Sequence, residues 1–218
     1  QKHIKNMYLR VYQGTGKIVV TAPAGMKIDR VEAFVRSKED WIGQRLSQTK
    51  TSLITLDTLG VAEGDLVPVW GVQKKILYRR NNHNRTISDD ESLQLNLKSQ
   101  DGIGEARSLL LKYYRSEMRK KIPDLISTHE NRMDVEVAEY GIRKMKTRWG
   151  SCNIRARRIW LNLELALYPP EILEYVLIHE MVHLHERLHN KRFYRLMDRF
   201  LPDWKNREKQ LKRGLSSC

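Results

Sequence analysis

Two short runs in which apolar residues predominate, Ile4 to Tyr12 and Lys17 to Ala22, read as strands. Between them Gln13-Gly14-Thr15-Gly16 holds the glycines that a hairpin turn requires. Pro23-Ala24-Gly25 closes the pair, and Asp29 then caps a helix predicted to reach about Leu46. Val31, Phe34, Val35, Trp41, Ile42 and Leu46 fall on or near its inner face, so Trp41 is read as core. From Thr49 to Leu97 the pattern is short and β-like, with bends at Gly64-Asp65 and Trp70-Gly71 and strands at Lys74 to Tyr78 and Leu93 to Leu97. The polar loop Asn81 to Arg85 leaves His83 exposed.

The period then changes. From Asp101 to Arg132, Ala106, Leu110, Tyr113, Tyr114, Met118, Ile122, Leu125 and Ile126 trace a helical stripe. Pro123 inside it predicts a kink or a break, and His129 is assigned to the surface. Val135 to Trp149 is strand-like, Arg155 to Arg158 is a basic turn, and Ile159 to Leu167 reads as another strand. Tyr168-Pro169-Pro170-Glu171 punctuates before a segment that is apolar nearly all round, Ile172 to Leu184, which marks a buried helix. Phe193, Leu196, Met197, Phe200 and Leu201 form an amphipathic helix that Pro202 stops, and Trp204 with Leu211 starts a last short one. The fold class is therefore α+β: a β-rich lobe with one helix over residues 1–98, followed by a core over residues 99–218.

Candidate chemistry lies on the buried helix, where four of the seven histidines fall between His179 and His189. The motif His179-Glu180-Met181-Val182-His183 is HExxH; a chance match is expected in roughly one chain in a hundred of this composition. Residues i and i+4 share a helix face, so His179 and His183 can present two imidazoles to one metal ion. Glu180, at the edge of that turn, can reach a water on the metal without becoming a ligand. Buried histidines and a buried carboxylate need partners, and a divalent metal supplies one.

Three residues compete for the third coordination position. Glu186 would stand ~10.5 Å along a continuous helix from His179, whereas ligands of one tetrahedral zinc lie only about 3.3 Å apart. His185 points roughly 200° away from His183 while the helix lasts. His189 suits if the helix ends soon after His183 and the chain turns back, and Asn190 is a good cap for a following helix. His189 is the preferred candidate. The spacing matches metzincins, but Glu186 stands where their helix-breaking glycine would be and no Met-turn is evident.

Composition adds a boundary and a question. The 218 residues suffice for a real core, no run approaches a membrane span, and no signal-peptide pattern opens the sequence. Cys152 and Cys218 make no disulfide framework, so the expectation is a cytoplasmic protein with no membrane partner. The net charge of +14 raises a polyanionic partner, nucleic acid first, and Arg143, Lys144, Lys146, Arg148, Arg155, Arg157 and Arg158 crowd beside the motif. A solvated face is the ordinary role of such a run.

Taken together, Thr147-Arg148-Trp149-Gly150-Ser151-Cys152, Leu161-Asn162, Pro169-Pro170-Glu171, Tyr175-Val176 leading into HExxH, His189, Phe193 and Leu201-Pro202-Asp203-Trp204 closely resemble the YgjP-like family of metal-dependent hydrolases. Val20, Ala22, Pro23 and Trp41-Ile42 extend the likeness over most of the chain. That family is related to the SprT-like and WLM metallopeptidases. The resemblance implies a zincin-type, gluzincin-like core with an HExxH active-site helix, zinc on His179, His183 and His189, and Glu180 as the catalytic glutamate. His185 departs from the family pattern and adds a rival ligand.

The implied activity is a zinc-dependent metallopeptidase in which Glu180 activates a zinc-bound water against a peptide or protein substrate. Tyr194, Arg148 and His185 are candidate oxyanion donors, and Ile159 to Leu165 could offer a strand edge to an extended peptide. Trp149 is read as a packing anchor beneath the site, and Cys152 as a buried thiol with a soft-donor role as the lesser option. The alternative is a nucleic-acid-associated protein. Because SprT-like relatives act on proteins attached to DNA, a peptidase acting on DNA-bound proteins would merge the two.

Overall fold

The structure, a computed structural model, describes residues 6–11, 18–23, 25–43, 54–98 and 102–215. By spatial proximity the chain forms two units, residues 1–54 with 214–218 and residues 55–213.

In the smaller unit β1 (Tyr8–Val11) pairs antiparallel with β2 (Ile18–Thr21), Val11 opposite Ile18, the hairpin the two runs predict. The glycine turn between them lies outside the described residues. Helix α1 (Ile28–Arg36) is shorter than expected. The Ser37 backbone N–H donates to the Ala33 carbonyl, and its hydroxyl donates to the Phe34 carbonyl at 2.8 Å, closing the helix there. A separate helical turn covers 39–43, so the phase of Phe34 and Val35 is not carried forward. Trp41, expected in the core, is consequently 40% exposed, and Ile42 is buried instead.

The larger unit is mixed α and β. Its first sheet has the order β3-β4-β6-β5, from β3 (Leu66–Val69), β4 (Val72–Arg80), β5 (Arg85–Ser88) and β6 (Ser92–Leu97). β3 and β4 meet at a two-residue turn in which both Trp70 (φ 52°) and Gly71 (φ 82°) take left-handed backbone, the conformation a tight hairpin needs. The turn has a second task. Its two N–H groups donate to the carbonyls of Ala166 and Leu167, at 2.9 and 3.1 Å, just before the buried helix begins. A Cβ on Gly71 would lie 2.7 Å from the Pro169 ring, so only glycine allows this approach.

Of the kink or break that Pro123 predicts, no break occurs: helix α2 (Ile103–Met133) runs through it. Pro123 is exposed, while Met118, Ile122, Ile126 and Met133 keep one buried stripe on either side. His129, assigned to the surface from the sequence, sits on that stripe and is 2% exposed. Its Nε2 lies 3.0 Å from Glu174, whose other oxygen accepts from Arg207 at 2.6 Å.

The second sheet has the order β7-β9-β8, from β7 (Glu139–Arg143), β8 (Gly150–Asn153) and β9 (Arg158–Asn162). β9 is parallel to β7 and antiparallel to β8. Two expected strands are thus shorter than their apolar runs. Both end where Asn162 intervenes: its side chain accepts from the Glu164 N–H at 3.2 Å, starting a 3-10 turn over Leu163–Leu167. The same side chain accepts from Met145 N–H and donates to the carbonyls of Met145 and Arg148. It therefore holds 145–148 as a loop leading into β8.

Helices α3 (Pro170–Val182), α4 (Lys191–Phe200) and α5 (Trp204–Arg213) complete the unit. Glu174 on α3 is gripped from both sides by His129 of α2 and Arg207 of α5. Burial pushes the Glu174 carboxyl up, but the Arg207 hydrogen bond and charge, with those of His129, outweigh it and hold it below the usual range. No helix of the described residues is long and apolar enough to cross a membrane.

Candidate metal centre

Helix α3 stops where the sequence requires. Val182 is its last residue, His183 is the C-cap, and the N–H groups of Leu184 and His185 close a tight turn onto the carbonyls of Met181 and Val182. The Leu188 N–H donates to the Glu186 carboxylate at 3.1 Å, and Asn190 caps α4 by accepting from Arg192 and Phe193 N–H groups. Between these two helix ends the chain doubles back and carries His189 over the last turn of α3.

His179, His183 and His189 thereby converge, with one ring nitrogen from each lying within 4.8 Å of the others. The Nε2 atoms of His179 and His189 are 2.9 Å apart, near the ~3.3 Å spacing of ligands on a tetrahedral ion. His183 Nδ1 lies 3.1 Å from the Glu186 carbonyl; donation there leaves its Nε2 lone pair free. Phe193, fully buried on α4, packs its ring 4.9, 4.8 and 4.6 Å from the three imidazole centroids and forms their floor. Burial, then the neighbouring His183 and His189, push the His179 imidazole down to about 3, so it is neutral, the form that donates to a metal. The donor set fits a zinc-like ion.

The rival ligands are engaged elsewhere. His185 Nε2 lies 2.6 Å from the Met133 carbonyl, and its ring stacks on Phe200. Glu186 binds the Leu188 N–H and lies 3.9 Å from Arg192. Cys152 stands apart from the three-histidine group. Its half-buried thiol is pushed up to about 11 by burial and by the charge of Glu180, which keeps it neutral. The diversion of His185 also removes it as an oxyanion donor.

Glu180 is 5% exposed, and burial pushes its carboxyl up to about 8 against the opposing charge of Arg148. A carboxylate poised near neutrality can both take and return a proton. Gly150, the first residue of β8, makes room for it: a Cβ there would lie 2.6 Å from Glu180 Oε1 and 2.8 Å from its Cγ. This explains the glycine of the Arg148-Trp149-Gly150-Ser151-Cys152 motif, a role that sequence patterning does not disclose. Gly150→Ala is expected to shift the carboxylate and lower turnover on the order of a hundredfold, with metal content unchanged. Unaltered turnover would show that the carboxylate tolerates the move.

Two clefts meet at Glu180. One of about 750 Å³ runs along β8 and is lined by Ser151, Cys152 and Asn153 together with Glu180 and His183. The other, about 220 Å³, is lined by Trp149, Tyr175, Val176 and Leu211, with His179 and Glu180 at its inner end. Trp149 makes an edge-on ring contact with Tyr168 and also lines this smaller cleft. Tyr194 is exposed, stacks on Trp204, and has its ring 6.5 Å from that of His189.

Strand β9 is central, with both neighbours in place, so the edge expected from Ile159 to Leu165 is not available to a peptide. The edge beside Glu180 belongs to β8. The basic run divides as well. Lys144 pairs with Asp57, Arg157 with Glu136 and Arg158 with Glu139, and the Arg143 guanidinium lies 3.4 Å over the Trp160 ring.

Among solved structures the chain is similar to two metallopeptidase zymogens. The first is abylysin of Pyrococcus abyssi: 22% identity, 41% of this chain and 90% of that one covered, TM-score 0.38. The second is jannalysin of Methanocaldococcus jannaschii: 18% identity, 43% and 95% covered, TM-score 0.39. No curated protein sequence matches it. Over residues 5–214, spanning both units and including the histidine triad, Glu180 and the Gly150 motif, the sequence matches the model of the YgjP-like metallopeptidase domain, and the chain belongs to that family.

Proposed function

We propose that the protein is a zinc-dependent peptidase in which His179, His183 and His189 hold the metal and Glu180 is the catalytic acid–base. The observation that carries this reading is the convergence of three histidine nitrogens within 4.8 Å beside a buried glutamate that the cluster does not include. When bound, zinc supplies Lewis acidity, lowering the pKa of water toward ~7 and polarising a carbonyl. Glu180 takes the proton of the attacking water on a carboxylate oxygen and returns it to the departing amine. Gly150 leaves the space that carboxylate occupies, and Phe193 keeps the three rings from spreading.

Substrate binding is assigned to β8. Its edge away from β9 offers backbone N–H and C=O groups to an extended peptide, which would lie along the larger cleft. The apolar cleft of Trp149, Tyr175, Val176 and Leu211 suits a side chain on the other side of the scissile bond. Burial pushes the Tyr175 phenol up, so it remains a neutral donor there. Arg148, at the junction of the clefts, and Tyr194 are the remaining oxyanion candidates.

Elemental analysis of wild type and His189→Ala, each purified without added metal, tests the centre. About one zinc per chain is expected in the wild type, with loss or strong weakening in the variant. Full retention would remove His189 from the ligand set. Failure of the wild type to take up zinc when it is offered would sink the hydrolase reading.

A further inference from the structure

We propose that the larger cleft selects peptides carrying an acidic side chain within about three residues of the scissile bond, and that Arg148, Arg155 and Arg187 make the selection. This rests on the peptidase reading above and specifies its substrate class. The three arginines come from separate places: the loop before β8, the β8–β9 turn, and the loop after α3. All three line the cleft, whose single carboxylate is the catalytic Glu180.

Their pairing state distinguishes them from four members of the basic run. Arg143, Lys144, Arg157 and Arg158 are taken up by Trp160, Asp57, Glu136 and Glu139. Among the described residues no ion pair engages Arg148, Arg155 or Arg187. Arg148 already acts on the buried Glu180, and a substrate carboxylate gives the guanidinium groups of Arg155 and Arg187 a partner that accepts a forked pair of hydrogen bonds. An extended peptide on β8 advances about 3.3 Å per residue, so Arg155, just beyond Asn153, lies a few substrate residues from Glu180. Ser151, Cys152 and Asn153 line the cleft between them without adding charge.

Matched peptides test the idea, identical except for Glu or Gln, and Asp or Asn, at each of three positions on either side of the cleaved bond. Turnover by the zinc-loaded wild type and binding to zinc-loaded Glu180→Gln, by fluorescence anisotropy, are measured in parallel. The acidic member is expected to be favoured on the order of tenfold at low salt, a preference that shrinks as salt screens it. Arg155→Glu combined with Arg187→Glu is expected to transfer the preference to the Lys-containing peptide, and Arg155→Lys with Arg187→Lys to keep part of the original. Circular dichroism and zinc content show whether these variants are folded. Equal turnover and binding of acid and amide peptides overturns the selection while leaving the peptidase reading intact. Selective binding without any cleavage supports the selection and overturns the peptidase reading. Displacement of the acidic peptide by inorganic phosphate at equal concentration, or tighter binding of a DNA oligonucleotide, overturns the assignment to peptide carboxylates.

Discussion

Glu180→Gln is expected to lower kcat by about 10²–10⁴-fold while leaving bound zinc at the wild-type level. The amide has the shape of the carboxylate and fits the space that Gly150 leaves, but it cannot accept the proton of an attacking water. Since Glu180 lies outside the three-histidine group, metal and turnover should separate cleanly in this variant. Loss of zinc together with activity would instead make Glu180 a ligand.

The same substitution has a signature in the metal-free protein. A carboxyl raised from 4.5 to about 8 holds its proton more tightly when folded than when unfolded, so its contribution makes stability fall as pH rises through that window. His179, lowered from 6.5 to about 3, contributes the opposite slope, confined to below its unfolded value. Between pH 6.5 and 8 the Glu180 contribution stands without that of His179, and Glu180→Gln should flatten the profile there. An unchanged slope, read from denaturant midpoints in the presence of chelator, would contradict the burial of a titrating carboxyl.

Phe193→Ala is expected to produce the largest loss of stability, about 3–5 kcal/mol, a large part of the ~5–15 kcal/mol that typically holds a domain together. The ring is fully buried and touches all three imidazoles, so the cavity would open directly beneath the proposed metal site. Zinc affinity should fall by roughly 10–100-fold, as it does when groups that orient ligands are removed. Denaturant unfolding of the metal-free protein measures the first effect, and competition with a chromophoric chelator the second. A stability loss below about 1 kcal/mol would mean that neighbouring side chains refill the space. Phe193→Leu, which keeps much of the volume, should fall between the two.

The outline of the centre was legible in the chain because its parts are local. The i, i+4 spacing of His179 and His183, the helix end after His183 and the Asn190 cap depend on residues within a turn or two of one another. The same holds for the hairpin of β1 and β2, the stripe of α2 and the amphipathic α4, whose periods survive without knowledge of any partner. Even the return of His189 follows from chain geometry once the helix is known to stop.

Everything that depends on distant partners had to await the tertiary structure. Trp41 is exposed because a cap at Ser37 resets the helical phase, and α2 passes through Pro123 because its buried stripe outweighs one missing hydrogen bond. His129 is inside because Glu174 and, through it, Arg207 compensate its burial across three helices. Which strand is an edge is decided by its neighbours, so the free edge moved from β9 to β8. Which basic side chains stay unpaired is decided by carboxylates on other elements, such as Asp57 for Lys144 and Glu139 for Arg158. Sequence alone thus determined the candidate metal-binding chemistry, because short-range periodicity and capping encode it. The fold decided where Glu180 has room, which strand faces it and which charges surround it, because packing, pairing and desolvation join residues that the chain itself keeps far apart.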